Sequence, residues 1–406
     1  MKNILPRLVV LSLCLLGPQL HFAQSLLDLR VDLVYLASDY LEGREAGKIG
    51  EDRAGEYLAQ RFAEIGLQPL GDDGSYEQSF EFNYNTNPQA SPEETRMAEN
   101  LIGYLDRGAA TTLVIGAHYD HIGRGAFGSR TPGESAIHNG ADDNASGTAA
   151  LLYLAEKLAK SDLKGHNFLF IAFSAEEMGL YGSKHFVKYP TIDLTKVTAM
   201  FNMDMVGRLK DQSLIINGAG TSPVWKSLFP QITTPALQLS TTDGGVGASD
   251  HTSFYLVDIP VLHFFTGVHD DYHTPADDSP TINFRGIRQV ADWMYELVVL
   301  LDDQGKLEFT ETKDNSQRRA SSFKVTLGVM PDYAYSGKGM RIDAVLDDRP
   351  AQKAGIEDGD VVIQIGDTAV DDIYDYMDGL GKFEAGQEAI VKVKRGAEVL
   401  ERKVVF

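Results

Sequence analysis

Five separate segments of this chain lead into side chains that can bind metal ions, and no other feature restricts its fold as much. They are Ala117-His118-Tyr119-Asp120-His121, Gly140-Ala141-Asp142-Asp143-Asn144, Ala175-Glu176-Glu177, Asn202-Met203-Asp204-Met205 and Tyr272-His273-Thr274-Pro275. A single His or Asp on a loop carries little information. Two His and three carboxylates, each placed after a hydrophobic run or in a tight turn, are what a pair of divalent ions about 3.5–4 Å apart requires. Residues this far apart in sequence meet only if the fold brings its strand ends to one edge.

The surrounding pattern supplies that edge. Leu113–Ala117, Phe168–Phe173, Val197–Met203, Leu214–Ile216 and Ile259–Phe265 are short apolar runs, as expected for strands covered on both faces. Helical spacing separates or follows them, in Ser146–Ala159 and Gly286–Leu301. The alternation predicts an α/β fold with a mostly parallel central sheet flanked by helices. Before it, Leu29–Tyr40 has helical spacing, two glycines break the pattern in Leu41–Gly47, and Ile49–Ile65 is amphipathic with Gly66 as its stop. Residues 71–98 are polar, with strand-like pieces such as Ser79–Tyr84, and read as an edge region and loop.

Ligands in an open α/β sheet gather beyond the carboxyl ends of the strands. His118, Glu176, Glu177, Asp204 and His273 fall there, and Asp142 precedes the helix near Ser146. Neutral imidazoles with carboxylates suit zinc or a similar divalent ion such as Co2+ or Mn2+. Asp142 is the best bridging carboxylate, with one His and one further carboxylate left for each ion. Asp143 reads as support for the turn. Asp120, two residues after His118, can accept the other imidazole N–H. Adjacent Glu176 and Glu177 point in different directions, so one can bind metal while the other exchanges a proton with the attacking water. His121, His138, His251 and His269 read as supporting groups, since five ligands and a bridging water satisfy two ions. Arg124, Arg130 and Arg208 are candidates for substrate contact or for the solvated surface, while Tyr119, Phe254 and Tyr255 read as core.

These segments, with Asn139–Gly147, Phe173–Glu177, Asn202–Arg208, Ser249-Asp250-His251, Asp271–Pro275 and Leu41-Glu42-Gly43-Arg44, resemble the M28 family of zinc aminopeptidases over about residues 28–303. The resemblance implies a zinc-exopeptidase fold of the phosphorylase/hydrolase type and two Zn2+ ions. His118 and Asp204 would hold one zinc, Glu177 and His273 the other, and Asp142 would bridge. Glu176 would be the general base and Asp120 the partner of His118. A cis peptide after the bridging residue, here Asp142-Asp143, is a further family expectation. The implied activity is hydrolysis of the N-terminal peptide bond of peptides with a free amine. Two alternatives share the fold: a single-zinc glutaminyl cyclase acting as an acyltransferase, and a zinc carboxypeptidase or dipeptidase.

The termini extend this picture. Lys2 and Arg7 flank the apolar run Leu8–Leu16, and Ala23-Gln24-Ser25 offers a cleavage site, so residues 1–25 read as a signal peptide for export to the periplasm or the extracellular space. The lone Cys14 lies in that leader, which leaves the mature chain without a disulfide. No later run suits a transmembrane segment. A net charge of −21 over 406 residues argues against nucleic-acid partners, which need basic patches.

Residues 26–303 are thus expected to form the peptidase unit and the polar stretch 304–321 a linker. Residues 322–406 form a second, mainly β unit that resembles a bacterial PDZ domain. Leu327-Gly328-Val329 is its candidate carboxylate loop, accompanied by Pro350–Ile356 and Asp358–Val362. Phe323–Val329 and Ile342–Leu346 read as strands and Ile373–Leu380 as a helix. The resemblance implies capture of a peptide or protein C-terminus by strand addition.

Overall fold

The computed structural model describes residues 17–84, 94–131, 135–312, 325–331, 338–345, 349–371, 373–396 and 398–406. The first sixteen residues of the expected leader lie outside them. Helix α1 (Gly17–Leu36) passes through the expected cleavage point and ends four residues before Tyr40. Among the described residues no helix is long and apolar enough to cross a membrane.

Helix α2 (Ile49–Ile65) buries Ala54, Leu58 and Phe62, whose four-residue spacing puts them on one face. Gly66, at φ +89°, ends it by donating its N–H to the Phe62 and Ala63 carbonyls. The sheet is built from β1 (Gln68–Pro69), β2 (Glu77–Tyr84), β3 (Glu94–Leu105), β4 (Thr111–His118), β5 (His166–Phe173), β6 (Val197–Met203), β7 (Ser213–Asn217), β8 (Gln238–Thr241) and β9 (Val261–Phe265), in the order β1-β3-β5-β4-β6-β9-β7-β8 with β2 on β3. Its centre, β5-β4-β6-β9, is parallel. Strands β3 and β7 pair antiparallel with β5 and β9, one at either side of this centre.

Every residue of β5 and β6 is buried, as continuous apolar strands require. Burying each Leu, Ile, Val or Phe side chain there contributes roughly 1.5–3 kcal/mol. Helix α3 (Gly147–Ala159) packs against α1, β4 and α7 (Phe284–Leu301). Short helices α4 (Tyr181–Lys188), α5 (Trp225–Leu228) and α6 (His251–Tyr255) join the other connections.

The structure corrects the reading of residues 71–98. β3 is a twelve-residue strand that enters the main sheet, not a loop at its edge. Its first half, Glu94–Glu99, is mostly polar with most side chains exposed, which hides a strand from a search for apolar runs. The expected linker also begins later than residue 304. Leu307 N donates to Thr198 Oγ1, Thr310 N to the Thr221 carbonyl and Thr312 N to the Tyr255 hydroxyl, so these residues pack on the first unit.

The second unit comprises β10 (Val329–Pro331), β11 (Met340–Val345), α8 (Pro350–Lys353), β12 (Val361–Ile365), β13 (Thr368–Ala369), α9 (Ile373–Gly381), β14 (Glu388–Arg395) and β15 (Glu398–Val405) around its own core, including Leu327, Ile342, Val362, Val391 and Val404. The strand expected over 323–329 starts only at Val329. Gly328 lies in the left-handed region at φ +72°, where a strand cannot continue, and Phe323 is outside the described residues. The Leu346 end of the other expected strand is also outside them.

Candidate metal centre

Strand β4 lies between β5 and β6, so successive connections leave its carboxyl end in opposite directions and open a crevice there. His118 ends β4, Glu176 and Glu177 follow β5, Asp204 follows β6, and His273 is in the loop after β9. Ala175, Met205 and His273 all adopt left-handed backbone conformations, with φ of 52°, 50° and 53°. Such strain in non-glycine residues is held only where surrounding contacts fix it, and all three lie at the donor loops.

Asp143, not Asp142, stands between the two groups of donors. Its Oδ1 is 3.4 Å from His118 Nε2, and its Oδ2 is 2.9 Å from His273 Nε2. His118 Nε2 is also 3.4 Å from Asp204 Oδ1, while His273 Nε2 is 3.2 Å from Glu177 Oε2. Asp142 turns the other way. Its Oδ1 accepts from Gly207 N at 2.6 Å and from Ser146 Oγ at 2.9 Å, and its Oδ2 lies 3.1 Å from His269 Nε2. The Asp277 carboxylate holds both backbone N–H groups, Asp142 N at 2.9 Å and Asp143 N at 3.1 Å, and so sets which side chain faces the crevice. The cis peptide is Asp143-Asn144, one residue later than expected.

Asp120 has a second task beyond facing His118 Nδ1 at 3.6 Å. Its oxygens accept the N–H groups of Glu176 and Glu177, at 3.1 and 3.3 Å. Asp120 therefore braces both sides of the site: its carbonyl lies 3.3 Å from His118 Nδ1, and its carboxylate holds the acidic loop. Arg44, only 1% exposed, donates to the carbonyls of Tyr119, Leu36, Asn139 and Gly140. It ties the His118 loop to the Asp143 loop. Burial drags its pKa down to about 10, while Asp120, Asp143, Asp277 and Glu177 act to raise it.

The donor set fits two divalent ions. Two groups form: His118, Asp143 and Asp204, and His121, Asp143, Glu177 and His273. His273 Nε2 is buried beside two carboxylates yet has no well-directed hydrogen bond among the described residues. Burial would lower the pKa of both His118 and His273, but Glu176 and Asp204 hold the first, and Glu177 and Asp143 the second, well above the usual range. Against the cost of burial, His118 and His273 hold Asp143 well below its usual range, and the His273 charge brings Glu177 down to about 2. Protons on the imidazoles offset the carboxylates, and bound divalent cations would take over that role. Glu176 is different. Burial first, then Asp250, Asp204 and Glu177, push it well above the usual carboxylate range against the pull of His118.

Of the other expected residues, His138 bonds Ser129 Oγ and His269 bonds Asp142, both in supporting roles. Arg208 pairs with Asp271 and Asp277. Tyr119, Phe254 and Tyr255 are buried, consistent with core. His121 joins the donor group, which sequence reasoning did not place there. Asp277 was also missed; its position two residues after Pro275 is the only sequence signal for it.

Residues 100–298 match Peptidase family M28, and residues 309–405 match the PDZ domain. Aminopeptidase YwaD of Bacillus subtilis is 36% identical over 192 residues, 44% of this chain and 39% of that relative's own length. The solved zinc aminopeptidase BSAP from Bacillus subtilis superposes with a TM-score of 0.54 at 19% identity, covering 71% of this chain and 98% of that one. Porphyromonas gingivalis glutaminyl cyclase gives 0.57 at 18% identity, covering 68% and 98%. At these identities the solved structures establish the fold, while the family assignment rests on the sequence match. The first unit thus carries a peptidase family M28 domain and the second a PDZ domain.

Proposed function

We propose that the protein is an exported dizinc aminopeptidase that hydrolyses the N-terminal peptide bond of peptides. One observation carries this reading. Asp143 presents a separate oxygen to each donor group, while Glu176 belongs to neither and is held beside His118 with a raised affinity for protons. His118, Asp143 and Asp204 would hold one ion, and Asp143, Glu177 and His273 the other. A bound pair of divalent ions would supply Lewis acidity and a water that loses its proton near neutral pH.

The chain's own residues do the rest. Glu176 accepts the proton from the attacking water and returns it to the leaving amine. Asp120 keeps His118 and the Glu176-Glu177 backbone in register. Nearby carboxylates favour a substrate with a free, positively charged amine. In the second unit, the left-handed turn at Gly328 leads into β10, the strand edge at which an extended peptide would add.

A panel of aminoacyl amides and their N-acetylated forms, assayed with and without chelator, tests the reading. Cleavage confined to free amines and abolished by chelation is expected. Cyclisation of N-terminal Gln with one bound zinc per chain would replace hydrolysis with the cyclase alternative.

A further inference from the structure

Three imidazoles surround the carboxylates of the centre, but they are not oriented alike. His118 and His273 turn Nδ1 away from the shared Asp143, toward Asp120 and toward the Gly128 carbonyl (2.9 Å), and present Nε2 to it. His121 is reversed. Its Nδ1 lies 2.7 Å from Glu177 Oε1, and its buried Nε2 has no hydrogen-bond partner among the described residues.

Distances separate two roles for such a ring. Donors bound to one tetrahedral zinc at about 2.0–2.1 Å lie roughly 3.3 Å from one another. His273 Nε2, at 2.9 and 3.2 Å from the Asp143 and Glu177 oxygens, is close to that spacing. His121 Nδ1 is 3.9 Å from Asp143 Oδ2, and its 2.7 Å approach to Glu177 is the length of a hydrogen bond to a carboxylate. We propose that His121 is a positioning residue: its Nδ1–H donates to Glu177 Oε1 and leaves Oε2 as the oxygen offered to metal. This rests on the two-metal reading above.

The ring is well placed for that task because it has little freedom to turn. His121 N donates to the Arg44 carbonyl at 3.0 Å. The ring meets His273 edge-on, with centroids 5.4 Å apart. On another side it lies against Gly140, where a Cβ would come within 2.5 Å of the ring. Glu177 is therefore held from behind by a rigid donor, and its ligating oxygen is chosen before any ion arrives.

The test compares wild type with His121→Ala, His121→Leu and His121→Asn in the full chain. Each is stripped of metal, then titrated with Zn2+ by calorimetry and with Co2+ by visible absorption. Asn places an amide N–H near the position of Nδ1–H; Leu fills the space but cannot donate, and serves if the Ala variant does not fold. Wild type is expected to bind two ions. H121A or H121L should bind one ion normally and the other about 10- to 100-fold more weakly, with a changed cobalt spectrum. H121N should recover most of the affinity and the wild-type spectrum. Failure of H121N to recover either would make His121 a ligand and overturn the positioning role. Normal uptake of two ions by H121A or H121L overturns that role alone. A wild-type chain that takes up no ion overturns both the centre and the role within it.

Discussion

Two pairs of adjacent acids face each other across the centre, and in both the second member meets the metal donors. The first members have opposite fates. Asp142 is consumed by structure, with Gly207 N, Ser146 Oγ and His269 Nε2 on its two oxygens. Glu176 is positioned through its backbone by Asp120 and kept buried among like charges, where it binds protons more tightly than a free carboxylate. An acid saturated by donors is part of the scaffold; an acid buried beside other acids can exchange a proton.

The contrast can be broken most forcefully at Asp143. D143A should lose both ions and reduce turnover to background, measured as bound zinc per chain alongside amide hydrolysis. Retention of two ions by D143A, with their loss from D142A, would restore Asp142 as the bridging residue. Next in size, E176Q should keep two ions while turnover falls by about 10²- to 10⁴-fold, because only proton transfer is removed. Wild-type turnover in E176Q would sink the base assignment.

D142A should act on the fold rather than the chemistry. Stranding the buried Gly207 N–H costs about 1–3 kcal/mol, visible as a lower melting temperature with metal content retained. An unchanged melting temperature would show that Asp142 is not the structural member of its pair. The smallest effect is expected from deleting residues 313–406, which removes a unit with its own core and should leave hydrolysis of small aminoacyl amides unchanged. Loss of that activity in a folded truncation would mean that the acid pairs are not positioned by the first unit alone.

Much of this was legible in the sequence because strand ends are. The apolar runs before His118, Glu176 and Asp204 mark β4, β5 and β6, and the crevice follows from their order. The Asp142-Asp143 choice was not legible. Composition is identical at the two positions, and the outcome depends on backbone direction, which Asp277 sets from more than a hundred residues away. The partner of His121, expected only as a supporting group, was hidden for a related reason. The spacing of His121 from His118 suits a ligand or a support equally, and only the direction of Nδ1 distinguishes them. β3 escaped because its first half is polar and mostly exposed, so no apolar run marks where it begins.

Arg44 gives the centre a counter-charge as well as a shape. Its guanidinium joins the end of α1 to two of the donor loops through carbonyls alone, using no side chain that a metal needs. It also brings a permanent positive charge into a region crowded with carboxylates, so the empty site is less costly to fold. One cation, placed by four carbonyls, thus offsets part of the mutual repulsion of Asp120, Asp143, Asp277 and Glu177.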